Sequence, residues 1–175
     1  MIDTIARWLS GVQSERNRAY LGSILNPIGD RLSTQSLSSA GLVIKTGGSA
    51  IVKTGSADYY ASVNGKLVKK DAATDMAALS GTVTNAKFNV FAFFVDGSGT
   101  LTTAMGTEGS TLATLVFPPI PEQKAMVGFV IINPTGTGNF VGGTTPLDDA
   151  TVVPNAAYVN TVGVFDPTLL PGSMS

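Results

Sequence analysis

The sequence predicts an all-β fold: an antiparallel β-sandwich or barrel-like domain preceded by an N-terminal helical arm. Three observations carry this. From about residue 37 onward, short apolar runs rich in Val, Ile, Tyr and Phe recur between turn signals. Gly and Pro, at 20 and 9 of 175 residues, punctuate those runs. The first 35 residues follow a different period and hold all the arginine in the chain: Arg7, Arg16, Arg18 and Arg31.

The arm comes first. Ile5, Trp8, Leu9 and Val12 fall at i, i+3, i+4 and i+7, one face of a helix. Asp3 or Thr4 is placed to cap its start. Ala19, Tyr20 and Ile24 continue the pattern with a drift, and Gly11 and Gly22 weaken it by about 1 kcal/mol each. The expectation is one kinked helix or two short ones, ending before Asn26-Pro27, because proline disfavours α geometry at the residue before it.

The strands follow. Leu42–Ile44, Ala50–Val52, Tyr59–Val63 and Lys66–Val68 are four β-prone runs. Gly47-Gly48 and Asn64-Gly65 separate two pairs of them, and both dipeptides favour hairpin turns with positive φ. Residues 71–79 are Ala-rich and suit a helical turn or a crossover loop. Phe88–Val95 is a strongly apolar strand, turned by Asp96-Gly97-Ser98-Gly99 into Thr100–Met105. Leu112–Phe117 reads as another strand, leading into Pro118-Pro119-Ile120-Pro121, which proline bars from a sheet interior. Lys124–Asn133 and Ala156–Phe165 complete a count of roughly nine strands, the number expected of a sandwich or barrel. The domain expectation is therefore an arm at 1–35, a β domain at 36–168 and a tail at 169–175.

Composition limits the function. There is no histidine and no cysteine. Histidine is the side chain that normally shuttles protons near neutral pH, so Ser-His-Asp and Cys-His nucleophiles have no base here. Zinc, copper and iron–sulfur centres lose their preferred ligands. Neither catalysis nor a cofactor is expected. Charged residues make up only 13% of the chain, about half the usual share. A mean hydropathy of +0.26 then implies a large core or apolar surface covered by partners. No apolar run reaches the roughly 18 residues of a membrane span. With a net charge of −1, no general attraction to nucleic acid is expected. MIDTIARWLS carries an acid and lacks the apolar core of a secretory leader.

Local motifs fail as chemical sites. Lys45-Thr46-Gly47 and Lys53-Thr54-Gly55 match one element of the serine β-lactamase signature. No lysine has a serine three residues before it, so the nucleophile of that chemistry is missing, and two strand ends are the expected reading. Asp96-Gly-Ser-Gly-Thr opens like a calcium loop, but position 6 is Leu101 and position 12 is Thr107 where glycine and glutamate are required. Asp148-Asp149 is the one adjacent acidic pair and reads as turn-capping. Gly136-Thr-Gly138 lacks the third glycine of a dinucleotide fingerprint. The arm remains. Trp, Tyr and Arg are the types enriched at binding hot spots, and Ile5, Arg7, Trp8, Leu9, Val12, Arg16, Arg18 and Tyr20 form a dense set of apolar and arginine positions.

Residues 88–149 carry a resemblance. Ile120-Pro121, Lys124 and Gly128, then Phe140, Gly143-Thr144-Thr145 and Leu147-Asp148, follow the strand FNVFAFFVDGSGTLT. This order resembles the β domain of tailed-bacteriophage virion proteins of the capsid decoration (cement) or head-fibre type. The resemblance implies a structural virion protein, a homotrimer on the capsid surface that binds the major capsid protein, assembled in the host cytoplasm. It implies no catalytic residue. A head-fibre, neck or tail component is the nearest alternative. A carbohydrate-binding β domain is the alternative of another class, disfavoured because the single tryptophan lies in the arm.

Overall fold

In the computed structural model the backbone is described for residues 2–165 and 167, and side chains from Ser14 onward, Ile24 and Pro27 excepted. The chain opens with a single helix, α1 (Ile2–Ser33). At 1.5 Å per residue it is about 48 Å long. The expected stop before Pro27 is overturned: the helix runs through the proline for a further turn and a half. An interior proline costs about 3 kcal/mol. Bonds beyond it hold the last turn. Ser33 O accepts Gly65 N at 3.1 Å and Ser62 Oγ at 2.8 Å, and Thr34 Oγ1 donates to Asp30 Oδ1 at 3.1 Å. Tertiary capping thus overrides a local propensity.

Eleven short strands follow among the described residues: β1 (Gln35–Ser36), β2 (Val43–Ile44), β3 (Val52–Lys53), β4 (Tyr59–Val63), β5 (Lys66–Lys70), β6 (Thr82–Val83), β7 (Asn89–Asp96), β8 (Leu101–Met105), β9 (Lys124–Ile132), β10 (Phe140–Val141) and β11 (Ala157–Asn160). Every pairing is antiparallel. A four-stranded sheet has the order β11-β9-β7-β8 and a three-stranded sheet the order β1-β4-β5, while β2-β3 and β10-β6 form two small ribbons. No sheet closes into a barrel among the described residues.

Both expected hairpin dipeptides turn the chain. Asn64 and Gly65 have φ of 51° and 74° between paired Val63 and Lys66, the geometry of a two-residue loop. Gly48 has φ of 76° in the β2–β3 turn. Residues 71–79 form a loop bridged at Asp75 to Lys53, with no helical turn. The strand expected at Leu112–Phe117 is absent. Leu112–Thr114 is a 3-10 turn instead, held by Thr114 Oγ1, which accepts Thr111 N at 3.0 Å. Threonine side chains there satisfy the backbone locally, so no ladder forms beyond the bridge of Val116 to Thr107.

The core lies between the three-stranded sheet and one face of the four-stranded sheet. Tyr59, Ala61, Val63 and Val68 meet Phe91, Phe93, Val95, Val127, Val130 and Ile132 there, and Phe140 sits edge-on to Phe91 at 5.9 Å. The far face of the four-stranded sheet is also dry. Val90, Ala92, Phe94, Met126 and Phe129 are covered by Phe117, Ile120 and Phe165. β7 is thus buried on both faces, which is why its sequence is continuously apolar rather than alternating.

Candidate partner interface

Asp96, Asp148 and Asp149, the carboxylates singled out from the sequence, all serve backbone groups, and Glu108 does the same. Asp96 Oδ1 accepts Ser98 N at 2.9 Å, Ser98 Oγ at 2.6 Å and Thr100 N at 2.9 Å. Those bonds hold its carboxyl down at about 2. Asp148 accepts Gly48 N at 3.0 Å and ties its loop to the β2–β3 turn. Asp149 accepts Thr151 Oγ1 at 2.7 Å and Thr151 N at 2.8 Å, and its carboxyl is lowered by them. Glu108 accepts Thr84 N at 2.5 Å. No group of three or more acidic side chains converges among the described residues. The lysine–threonine–glycine triplets are structural as well. Lys45 pairs with Asp75 at 2.5 Å. Thr54 Oγ1, in the second triplet, is buried and accepts Thr74 N at 2.8 Å.

The helix is a different case. Its C-terminal end is seated on the tip of the β4–β5 hairpin through the Ser33 bonds, and Thr34 Oγ1 also accepts Asn64 N at 3.1 Å. Beside this seat opens a cleft of about 480 Å³, lined by Asp30, Arg31, Glu122, Lys124, Val164 and Phe165 among others. Gln123 N also donates to Asp30 Oδ2 at 3.5 Å, and away from this end no strand makes an extended contact with α1 among the described residues. Arg16, Arg18 and Tyr20 are exposed. The side chains of Ile5, Arg7, Trp8, Leu9 and Val12 lie outside the described residues.

Sequence reasoning missed the larger feature of this helix. Leu21, Leu25, Ile28 and Leu32 all stand in water, with Leu25 and Leu32 at 57% and 64% exposure. Their spacing is i, i+4, i+7 and i+11. At 100° per residue they occupy a sector only about 60° wide. By sequence spacing alone, at 100° per residue, positions 5, 8, 9 and 12 differ from this stripe by about 180°. Arg16 and Tyr20 sit at positions near the first face, whereas Arg18 stands seven residues before Leu25 and heads the second. The spacing that reveals the second stripe is present in the sequence, but it spans Pro27 and disappears once the helix is stopped there.

The exposed surface continues onto the β domain. Ser62 points toward the helix end, since it donates to Ser33 O. Strand alternation puts Tyr60 on the same side, Leu67 pairs with Ser62, and Leu37 lies two residues beyond Gln35, the other partner of Ser62. Leu37, Tyr60 and Leu67 are all exposed. Lys69 crosses that sheet face between Asp58 at 2.9 Å and Asp71 at 3.1 Å, an ion pair that raises its pKa and lowers that of Asp58. No protein-family model, curated protein or solved structure matches this chain.

Proposed function

We propose that this chain is a structural protein of a phage virion, an accessory decoration (cement) protein that binds the capsid through α1. The observation that carries the reading is the long helix itself. It stands off its own β domain and displays arginine, tyrosine and four large aliphatic side chains to water. A surface of that kind, on a domain whose carboxylates are occupied in turns, is suited to other protein chains. The order of motifs over residues 88–149 supports the assignment to a virion.

In this reading the protein is a homotrimer on a quasi-three-fold site of the shell, with the N-terminal half of α1 lying across neighbouring major capsid subunits. The β part is an antiparallel sandwich whose layers are the three- and four-stranded sheets. Stabilisation follows from mass action, because the protein binds the assembled shell and not its separate subunits. It takes no cofactor, and neither nucleic acid nor membrane is its partner.

The test is co-sedimentation with expanded phage shells. The wild-type chain is expected to pellet with them, and Trp8→Ala combined with Arg16→Ala and Arg18→Ala is expected to stay in the supernatant. A wild-type chain that never pellets sinks the reading. One observation favours a second structural reading, a head-fibre, neck or tail part: α1 is a single rod about 48 Å long. Copy number separates the two, since a shell holds roughly hundreds and a ring about six or twelve.

A further inference from the structure

Leu21, Leu25, Ile28 and Leu32 are the feature that a lone chain leaves least explained. Steps of four, three and four residues are the d-a-d-a spacing of a coiled coil. Leu25 and Leu32 take the a positions, and Leu21 and Ile28 take d. Two-stranded coils favour β-branched residues at a with leucine at d; here a is leucine at both positions and d is Leu21 and Ile28, which departs from that pattern. Gly22 and Gly29 flank the stripe seven residues apart. A methyl group added at Gly29 would meet nothing within 4 Å, so the ground beside the stripe is open to a close neighbour.

We infer that the C-terminal half of α1 is a self-association surface, on which Leu21, Leu25, Ile28 and Leu32 pack against the same residues of two further copies in a parallel three-helix bundle. The inference rests on the reading of α1 as the docking element, takes the number three from the homotrimer of that reading, and names the partner of the helix's second face. Two heptads alone are marginal, because isolated helical segments this short hardly persist in water. The β domain supplies the remainder. Leu37, Tyr60 and Leu67 share the sheet face of Ser62, which donates to the end of the same helix. In a parallel bundle the three β domains sit together at one end and these patches turn toward neighbouring copies. An antiparallel pairing would put the patches at opposite ends and leave them wet. Summed from their fractional exposures, the seven residues expose on the order of 700 Å², close to the roughly 800 Å² per partner of a standard stable interface. Arg18, at the next a position toward the N-terminus, ends the apolar seam with charge and marks where the helices are free to diverge toward another partner.

Light scattering on the free full-length protein tests this without any capsid. The expected mass is three times the 18.0 kDa chain. A mass of one, two or four chains overturns the inference. Leu25→Asp combined with Leu32→Asp should give a monomer. Its β domain should still unfold cooperatively, since both positions are exposed in the single chain, and a variant that stays trimeric overturns the role of the stripe. Direction has its own readout in this cysteine-free chain. Arg18→Cys labelled with a pyrene maleimide should show excimer emission, and monomer emission alone overturns the parallel arrangement. Failure of the capsid reading would leave the trimer mass untouched. Shell binding by a wild-type chain that is monomeric would sink this inference and the trimer of the capsid reading, and would leave the docking of α1 on the shell standing.

Discussion

The carbonyl oxygen of Ser33, at the last position of α1, accepts the backbone N–H of Gly65 at 3.1 Å and fastens the helix to the tip of the β4–β5 hairpin. Gly65 holds a φ of 74° at that tip and has open space where a Cβ would stand. Gly65→Ala therefore meets backbone strain and no clash. The expected cost is about 1 kcal/mol, the usual penalty for an L side chain in the left-handed region. Urea unfolding measures it, and an unchanged midpoint would count against the turn geometry.

Ser36 and Tyr59 form a buried polar link in the core. Their hydroxyls lie 2.6 Å apart, and Ser36 Oγ donates to Met126 O at 2.5 Å. Ser36→Ala strips the Tyr59 hydroxyl of its partner and should cost about 1–3 kcal/mol. Met126 O keeps a bond from Thr161 Oγ1 at 2.7 Å. Tyr59→Phe removes the hydroxyl itself and should cost less, about 0.5–1.5 kcal/mol. The order of the two variants in chemical denaturation checks the link.

The same tyrosine gives an alkaline signature. Burial raises the Tyr59 phenol from 10.0 to about 12. Between those values the unfolded chain loses the proton while the folded chain keeps it. Its contribution is thus complete below pH 10 and declines as pH rises toward 12. The slope is about 1.4 kcal/mol per pH unit at most. Tyr59→Phe should remove that component of the stability–pH curve.

Asp96 gives the opposite window. Its carboxyl is depressed from 3.8 to about 2, chiefly by the Ser98 hydroxyl and then by the Thr100 N–H. The unfolded chain therefore binds its proton first on acidification. The contribution of the turn is present above pH 3.8 and is lost as pH falls through about 2. Carboxyl-carbon NMR should place the Asp96 midpoint near 2, and Ser98→Ala should move it upward.

Gly128 is the most constrained position of β9. The ladder with β7 slips here: Phe93 faces Gly128 while Phe94 faces Met126, leaving Val127 as the extra residue of a bulge. A Cβ at Gly128 would stand 2.4 Å from Val159 O and 2.6 Å from Leu42 Cδ1. Gly128→Ala should destabilise the chain by about 1–3 kcal/mol through this overpacking. Backbone amides of β11 should exchange faster in the variant.

Much of the fold is legible locally. Asn64-Gly65 and Gly47-Gly48 mark their turns because positive φ is a property of those residues themselves. Phe88–Val95 and Lys124–Asn133 announce the two central strands by their strongly apolar character. Leu112–Phe117 misleads, because β-branched and apolar residues also serve a 3-10 turn whose backbone is satisfied by threonine side chains. Pro27 misleads more seriously. A helix stopped there hides Leu25, Ile28 and Leu32 from the pattern that joins them to Leu21.

Turn chemistry and residue periodicity act over a few neighbours, and they suffice to specify an antiparallel β-rich chain behind an arginine-bearing helical arm. That α1 reaches Ser33, and that four aliphatic side chains on it stay in water, follow from contacts between distant parts of the chain. Both depend on what lies beside the helix. The hairpin tip holds its last turn from 30 residues away, and no strand makes an extended contact along the Leu21–Leu32 stripe among the described residues. Burial belongs to surroundings assembled from distant chain, so no window of sequence contains it.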